Sequence, residues 1–233
     1  MLPPLSENRI LAALPPAECA RLIARMTDVT FGHKDFAYLP GGPLDYVYFP
    51  RTGMMSVVVA MLDGSTAEVG AIGSEGMVCA AVAIGAERSA EQVFCQVHPC
   101  VCRRMPSAEF VAEVQRGGPF QKLIYGYLLA TTIANAQIAA CNCLHTVDER
   151  CARWLLMCHD RVGSDEFPLT HEFLANMLGV RRATVTVTAG ALASAGLITY
   201  RHGKVKVVDR ERLEDAACEC YRVVRDTFEI RAT

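Results

Sequence analysis

The sequence predicts an α+β protein in three consecutive parts: an all-β sandwich, roll or barrel with flanking helices, one long apolar helix, and a winged helix-turn-helix. Three observations predict it. Residues 30–105 alternate short runs rich in Val, Tyr and Phe with Gly and Pro punctuation, the texture of many short strands joined by close turns. Residues 123–147 contain no Asp, Glu, Lys or Arg. Residues 170–208 place a capped helix, a glycine turn, a second helix and a basic strand-turn-strand in succession. The expected divisions are 1–118, 119–145 and 146–233.

Composition bounds the reading. Hydrophobic residues make up 52% and charged residues 21% of the 233-residue chain, which fits a folded globular protein and argues against disorder. The formal net charge is −2, so any attraction to a polyanion must come from local charge placement. The N-terminal text Met1-Leu2-Pro3-Pro4-Leu5-Ser6-Glu7 lacks the basic start and apolar run of a secretory signal. Eleven cysteines is an odd number. Several form close pairs (Cys100/Cys102, Cys141/Cys143, Cys218/Cys220), a spacing poorly suited to disulfides. Reduced, buried thiols in a cytoplasmic protein are the expectation.

The elements follow in order. Residues 6–26 read as helix, with Ile10, Leu11, Leu14, Leu22, Ile23 and Met26 apolar and a break and restart at Pro15-Pro16. Within the β part the strongest hairpin is Met54–Leu62, a tight Asp63-Gly64 turn, and Ser65–Ile72. Helix returns after Pro106-Ser107 and breaks at Gly117-Gly118-Pro119. The long uncharged segment that follows has the length of a membrane span, roughly 37 Å as a helix. Asn135, Gln137, Asn142, His145 and its threonines are costly against lipid, so no membrane is expected. Its apolar residues surround the helix, and such a helix must be covered on both sides. The β part covers one side. A second subunit covers the other, with Ala130, Ala134 and Ala140 allowing close approach; burial wholly within one chain is the alternative. A helix over Asp148–Arg161 comes next, with Trp154, Leu155 and Met157 inward among Arg150, Arg153 and Arg161.

Residues 170–185 have helix-turn-helix logic. Thr170 is an N-cap, Ala175 is small where two helices cross, and Gly179 suits a left-handed turn. Leu174, Leu178, Val180 and Val185 lock the second helix on the first. That helix runs from near Arg181 to about Ala195, and its first turn presents Arg181, Arg182 and Thr184 or Thr186. Arginine can hold guanine bidentately in the major groove. Two arginines at a helix start oppose the dipole unless an anion sits there. The wing follows, Gly196–Arg201 and Lys204–Val208 around His202-Gly203, with Arg201, His202 and Lys204 at its tip. From Phe167 to Val208 five Lys/Arg face one acid, Glu172, a local charge of 5 − 1 = +4. Double-stranded DNA is the partner this implies.

With these residues in place, the chain resembles the Crp/Fnr family of bacterial regulators, end to end. The resemblance is closest to members with text similar to Asp45-Tyr-Val-Tyr-Phe-Pro50, Gly73-Ser-Glu-Gly-Met77, Ala140-Cys-Asn142, Glu149-Arg-Cys-Ala-Arg-Trp154 and Cys218-Glu-Cys-Tyr221. It implies an N-terminal β-roll (a double-stranded β-helix, cupin-like) and a homodimer through the long helix. It further implies a near-palindromic operator, RNA polymerase as a partner, and Arg182 in the place of the guanine-contacting arginine. Ala183 stands where many members have Glu, and Thr188 where an apolar residue packs the recognition helix.

The resemblance also implies where an effector would sit. The family's β-roll often binds a cyclic nucleotide through a Gly-Glu segment and an Arg-Ser pair. Glu75, Arg88 and Ser89 are the corresponding candidates, although the Gly and Glu are not adjacent here and the gap before Arg88 is longer. Surface turn residues account for the same text. An iron–sulfur centre finds only Cys19 near the N-terminus, and haem ligation by His33 or His98 has no spacing to support it. No metal ligands and no cofactor are expected. There is no phosphate loop, zinc-protease helix or nucleophile elbow, so the chain is read as a non-enzyme. The competing class is a ligand-binding module whose winged helix mediates protein contacts.

Overall fold

The computed structural model describes residues 7–64, 66–97 and 99–229. The terminal Met1–Ser6, together with Ser65 and His98, which entered the sequence reading, lie outside the described residues. Compact clusters divide the described chain into two units, residues 7–58, 70–132 and 228–229 in one, and residues 59–69 and 133–227 in the other.

In the first unit two short helices, α1 (Arg9–Ala12) and α2 (Pro16–Ile23), precede the strands, with Pro16 in the first turn of α2 as the sequence predicts. One sheet has the order β1-β7-β3, from β1 (Thr27–Phe31), β7 (Cys100–Pro106) and β3 (Tyr46–Pro50). The other sheet has the order β2-β6-β4-β5, from β2 (Phe36–Tyr38), β6 (Gln92–Val97), β4 (Met54–Ala60) and β5 (Thr66–Ile72), of which residues 59–60 and 66–69 are counted with the second unit. The pairings β1–β7, β3–β7, β2–β6 and β4–β6 are all antiparallel. Residues of both sheets share one core, among them Val47, Phe49, Met55, Val93, Cys95, Cys102 and Met105. An aromatic chain ties helices to that core. Phe49 meets Phe110 of α3 (Ser107–Gln115), and Phe110 meets Phe120 edge-to-face at 5.8 Å.

Asn8 organises this unit, a role the sequence reading missed. Fully buried, it caps α1 by accepting from the Ile10 and Leu11 amides at 3.1 and 3.4 Å. Its Nδ2 donates to the carbonyls of Pro50 (3.0 Å) and Gly76 (2.7 Å). Four polar groups are satisfied by one side chain.

The Asp63-Gly64 hairpin needs correcting. The strands stop at Ala60 and resume at Thr66, so the connection is a loop and not a two-residue turn. Gly64 has the positive φ expected of it (83°) and donates to the Met61 carbonyl at 3.0 Å. Met61 and Leu62, read as the end of the first strand, are instead outside it and exposed.

The long helix α4 spans Pro119–Leu144 and has the length and composition of a membrane span. Its apolar girth is covered only in part. Phe120, Ile124, Ala134 and Cys141 are buried, whereas Tyr125, Leu129, Ile133 and Leu144 are exposed. Ala134, read as a surface for a partner helix, already packs within the chain.

In the second unit α5 (Val147–Val162) opens with a capping box, Thr146 and Glu149 bonding each other's backbone amides. It closes on Gly163 at φ 64°. Arg153, one of the three arginines among which Trp154, Leu155 and Met157 were expected to face inward, is itself only 4% exposed. The remaining elements are β8 (Glu166–Pro168), α6 (His171–Leu178), α7 (Arg182–Ser194), β9 (Ile198–Arg201), β10 (Lys204–Val207), α8 (Arg210–Ala216) and α9 (Cys220–Thr227). The wing has a third strand that the sequence reading left out: the sheet order is β8-β10-β9.

Candidate nucleic-acid interface

The helix-turn-helix is built by its caps and its apolar contacts. Thr170 Oγ1 accepts from the Phe173 amide at 3.1 Å to start α6. Gly179 ends it at φ 63°, and the Val180 amide reaches back to the Ala175 carbonyl at 3.0 Å. A methyl at Gly179 would meet no neighbour, so glycine is needed there for its backbone angle and not for space. Leu174, Ala175, Leu178, Val185, Ala189 and Leu192 are all buried and set α7 against α6.

α5 braces both helices from behind. Arg150 Nη2 donates to the Leu178 carbonyl at 2.5 Å, filling an open acceptor at the end of α6. Thr188, on α7, is buried, and its hydroxyl donates to Asp148 Oδ1 at 2.5 Å. A polar residue therefore fastens α7 to α5. Trp154 packs on Phe173, and its indole N–H donates to Glu68 Oε1 at 2.8 Å.

The first turn of α7 is open and cationic. Arg181 is its N-cap with no side-chain capping bond, and the turn contains no acid. Arg181 and Arg182 are exposed, as is Thr186, while Thr184 is half-buried. Thr186 Oγ1 donates to the Arg182 carbonyl and lies 3.1 Å from His171 Nδ1. His171 stacks on Tyr200, whose hydroxyl donates to the Leu169 carbonyl, so β9 and α6 are fastened together. Burial, aided by the Arg182 charge, lowers the His171 pKa.

The wing tip is a two-residue turn with both central residues at positive φ, His202 at 50° and Gly203 at 74°, between the paired Arg201 and Lys204. Those angles match the right-handed twist of the strands. Arg201, His202, Lys204 and Lys206 are exposed. Lys204 Nζ lies 3.1 Å from Glu166 Oε1 of β8. The local charge excess is thus smaller than the sequence count, which began one residue too late to include that acid.

The effector candidates are placed differently. Glu75 is nearly buried and accepts from the Gly73 amide at 3.1 Å. Arg88 is exposed and donates to the Gly41 carbonyl at 2.6 Å. Ser89 is buried and donates to the Glu91 carbonyl at 2.8 Å, its own backbone pairing with Gly41 and Gly42. These bonds hold the turns of the β unit. Gly76 belongs to the packing too, since a methyl there would fall 2.8 Å from Tyr127 Cε2 and Cζ of α4. His33 Nδ1 lies 3.3 Å from the Gln96 carbonyl. Neighbouring thiols and burial push Cys95 and Cys100 well above the ordinary thiol range, so both are protonated and poorly reactive.

Residues 149–216 match the Crp-like helix-turn-helix domain. Among curated proteins, none matches the sequence. Several solved structures share its fold. A Crp/Fnr-family transcriptional regulator from Eubacterium rectale is 15% identical with a TM-score of 0.68, covering 89% of this chain and 96% of its own. A CRP-family regulator from Thermus thermophilus is 18% identical with a TM-score of 0.69, covering 82% and 99%. The c-di-GMP-responsive global regulator CLP of Xanthomonas campestris is 15% identical with a TM-score of 0.66, covering 83% and 99%. The chain therefore has the fold of the Crp/Fnr family of transcriptional regulators and carries that family's helix-turn-helix over residues 149–216.

Proposed function

We propose that the protein is a sequence-specific, DNA-binding transcription regulator that acts as a homodimer in the cytoplasm. The observation that carries this reading is the first turn of α7, where Arg181 and Arg182 stand exposed at a helix start without an acid or a capping side chain. Exposed guanidinium groups at the positive end of a helix suit an anion. Arg182 reads a guanine edge, Arg181 and the exposed Thr186 extend the contact, and Arg201, His202, Lys204 and Lys206 hold the neighbouring phosphates. Ala183 offers no acceptor to a cytosine amine, so the operator differs from that of relatives with Glu in this place.

The dimer reading rests on α4. Its exposed residues Tyr125, Leu129, Thr132, Ala136, Ala139 and Cys143 are spaced four and three apart alternately, the seam of a two-stranded coiled coil. Small residues in its second half allow a close approach. The polar groups of this seam favour a partner helix over lipid. RNA polymerase is the protein such a regulator engages on DNA. The β unit serves as the regulatory body, and a cyclic-nucleotide effector through Glu75, Arg88 and Ser89 would require those residues to give up their present bonds.

The test is genomic DNA capture followed by binding measurements on the recovered duplex. Tight, salt-sensitive binding that collapses in Arg182→Ala is expected. Binding that survives that change would sink the recognition-helix assignment and favour a protein-contact role for the wing. Leu129→Glu should lower both the mass in solution and the DNA affinity.

A further inference from the structure

Four potential metal donors that are scattered in the sequence converge in the second unit. Cys141 and His145 lie one helical turn apart at the end of α4 and just beyond it, and Cys218 and Cys220 flank Glu219 at the start of α9. The donor atoms of all four residues lie within 4.8 Å of one another, and the three cysteines are buried. We propose that Cys141, His145, Cys218 and Cys220 bind a single thiophilic divalent cation, zinc by preference, as a closed tetrahedral site.

The spacing fits one ion. Bond lengths of about 2.3 Å to sulfur and about 2.0 Å to nitrogen give tetrahedron edges of about 3.8 Å between sulfurs and about 3.6 Å between sulfur and nitrogen. Cys141 Sγ and Cys218 Sγ are 3.5 Å apart, and Cys220 Sγ is 3.6 Å from His145 Nδ1. An iron–sulfur cluster spreads its protein ligands over two or more sulfide-bridged irons, so its four ligand atoms do not all fall within 4.8 Å of one another as these do. Three thiolates and one imidazole form the soft donor set of structural zinc.

The surroundings support the same conclusion. His145 turns Nδ1 toward Cys220, and its Nε2 lies 3.3 Å from Glu219 Oε2. That carboxylate fixes the Nε2–H tautomer and leaves the Nδ1 lone pair for the metal. Gln137 Nε2 donates to Cys220 Sγ at 3.0 Å. Arg153 supplies an independent observation. It is 4% exposed, acts electrostatically on Cys141, donates to Met157 Sδ, and has a buried Nε without a partner. Among the described residues it makes no ion pair with a carboxylate. A guanidinium is always charged, and burying it calls for a counter-charge. Three thiolates and a divalent ion sum to −3 + 2 = −1, which provides it. Neutral thiols do not.

The experiment uses the full chain, purified with reductant and without chelator. Elemental analysis should find about one zinc ion per chain, released by a thiol-blocking mercurial and detected with a chromophoric indicator. Replacement by Co²⁺ should give the visible ligand-field bands of a tetrahedral site together with thiolate-to-cobalt charge transfer. Cys141→Ser, Cys218→Ser and Cys220→Ser should each lose the metal, and Cys19→Ser should keep it. Where a serine variant does not fold, the wild-type cobalt spectrum decides. Only trace metal after reconstitution with no tetrahedral cobalt spectrum, stoichiometric iron with acid-labile sulfide, or metal retained by all three serine variants would each overturn the proposal. None of these readouts involves DNA, so they stand or fall apart from the regulator reading.

Discussion

Two stretches of this chain carry equally suggestive text, and the structure treats them in opposite ways. At the start of α7, Arg181 and Arg182 project into solvent with no acid in the turn. Around Gly73–Met77 and Arg88-Ser89, the same kinds of group are committed to the chain itself: Glu75 to Gly73, Arg88 to Gly41, Ser89 to Glu91. A donor or acceptor already engaged by the backbone must break that bond before it can hold a ligand, at a cost comparable to a lost hydrogen bond. A motif is evidence of binding only to the extent that its polar groups remain available.

Mutations in the two stretches should therefore separate affinity from stability. Arg182→Ala should weaken binding to the captured operator about five- to 150-fold, from the 1–3 kcal/mol a bidentate guanine contact contributes, while the melting temperature stays unchanged. A fluorescence-anisotropy titration paired with a thermal melt checks both halves. Gly76→Ala should do the reverse. The added methyl meets Tyr127, overpacking costs about 1–3 kcal/mol, and denaturant unfolding should report it while operator affinity of the folded protein holds. Tyr127→Ala in the same chain should recover part of the loss.

Smaller effects sharpen the contrast. Lys206→Ala should reduce the slope of log affinity against log salt by about one, the signature of a phosphate contact. Arg88→Ala, at an exposed site with one backbone bond, should shift stability by no more than about 1 kcal/mol and leave DNA binding alone. If it instead abolished a cyclic-nucleotide-dependent increase in affinity, the β-unit half of the comparison would be wrong. Smallest is a pH effect at His171, whose folded pKa lies below its unfolded value because of burial and then Arg182. The unfolded chain takes up the proton first, so the contribution to stability is complete above the unfolded pKa and declines as pH falls toward the folded one. Arg182→Ala should raise that folded pKa, as an NMR titration of the imidazole would show.

Much of the DNA-binding unit was readable in the chain because its signals are local. Thr170 as cap, Gly179 as turn and the apolar positions from Leu174 to Val185 act within one or two helical turns, and α6 and α7 form where the spacing predicts. The β unit was readable only as a class. Alternation and turn residues announce strands, but the order β2-β6-β4-β5 and the two bonds from Asn8 to Pro50 and Gly76 depend on residues distant in sequence. Charge counting had the same limit: Glu166 meets Lys204 because β8 joins the wing, and no count along the chain places it there.

The sequence by itself determined that a capped helix pair, a basic first turn and a basic wing follow a long uncharged helix, since helical periodicity, capping and turn chemistry are short-range properties of the chain. Tertiary structure alone decided which polar groups remain free. It turned Arg153 inward, left a heptad seam of α4 uncovered, committed Glu75, Arg88 and Ser89 to the fold, and gathered Cys141, His145, Cys218 and Cys220 into one cluster. Exposure and convergence are properties of packing between distant segments, and only the folded chain specifies them.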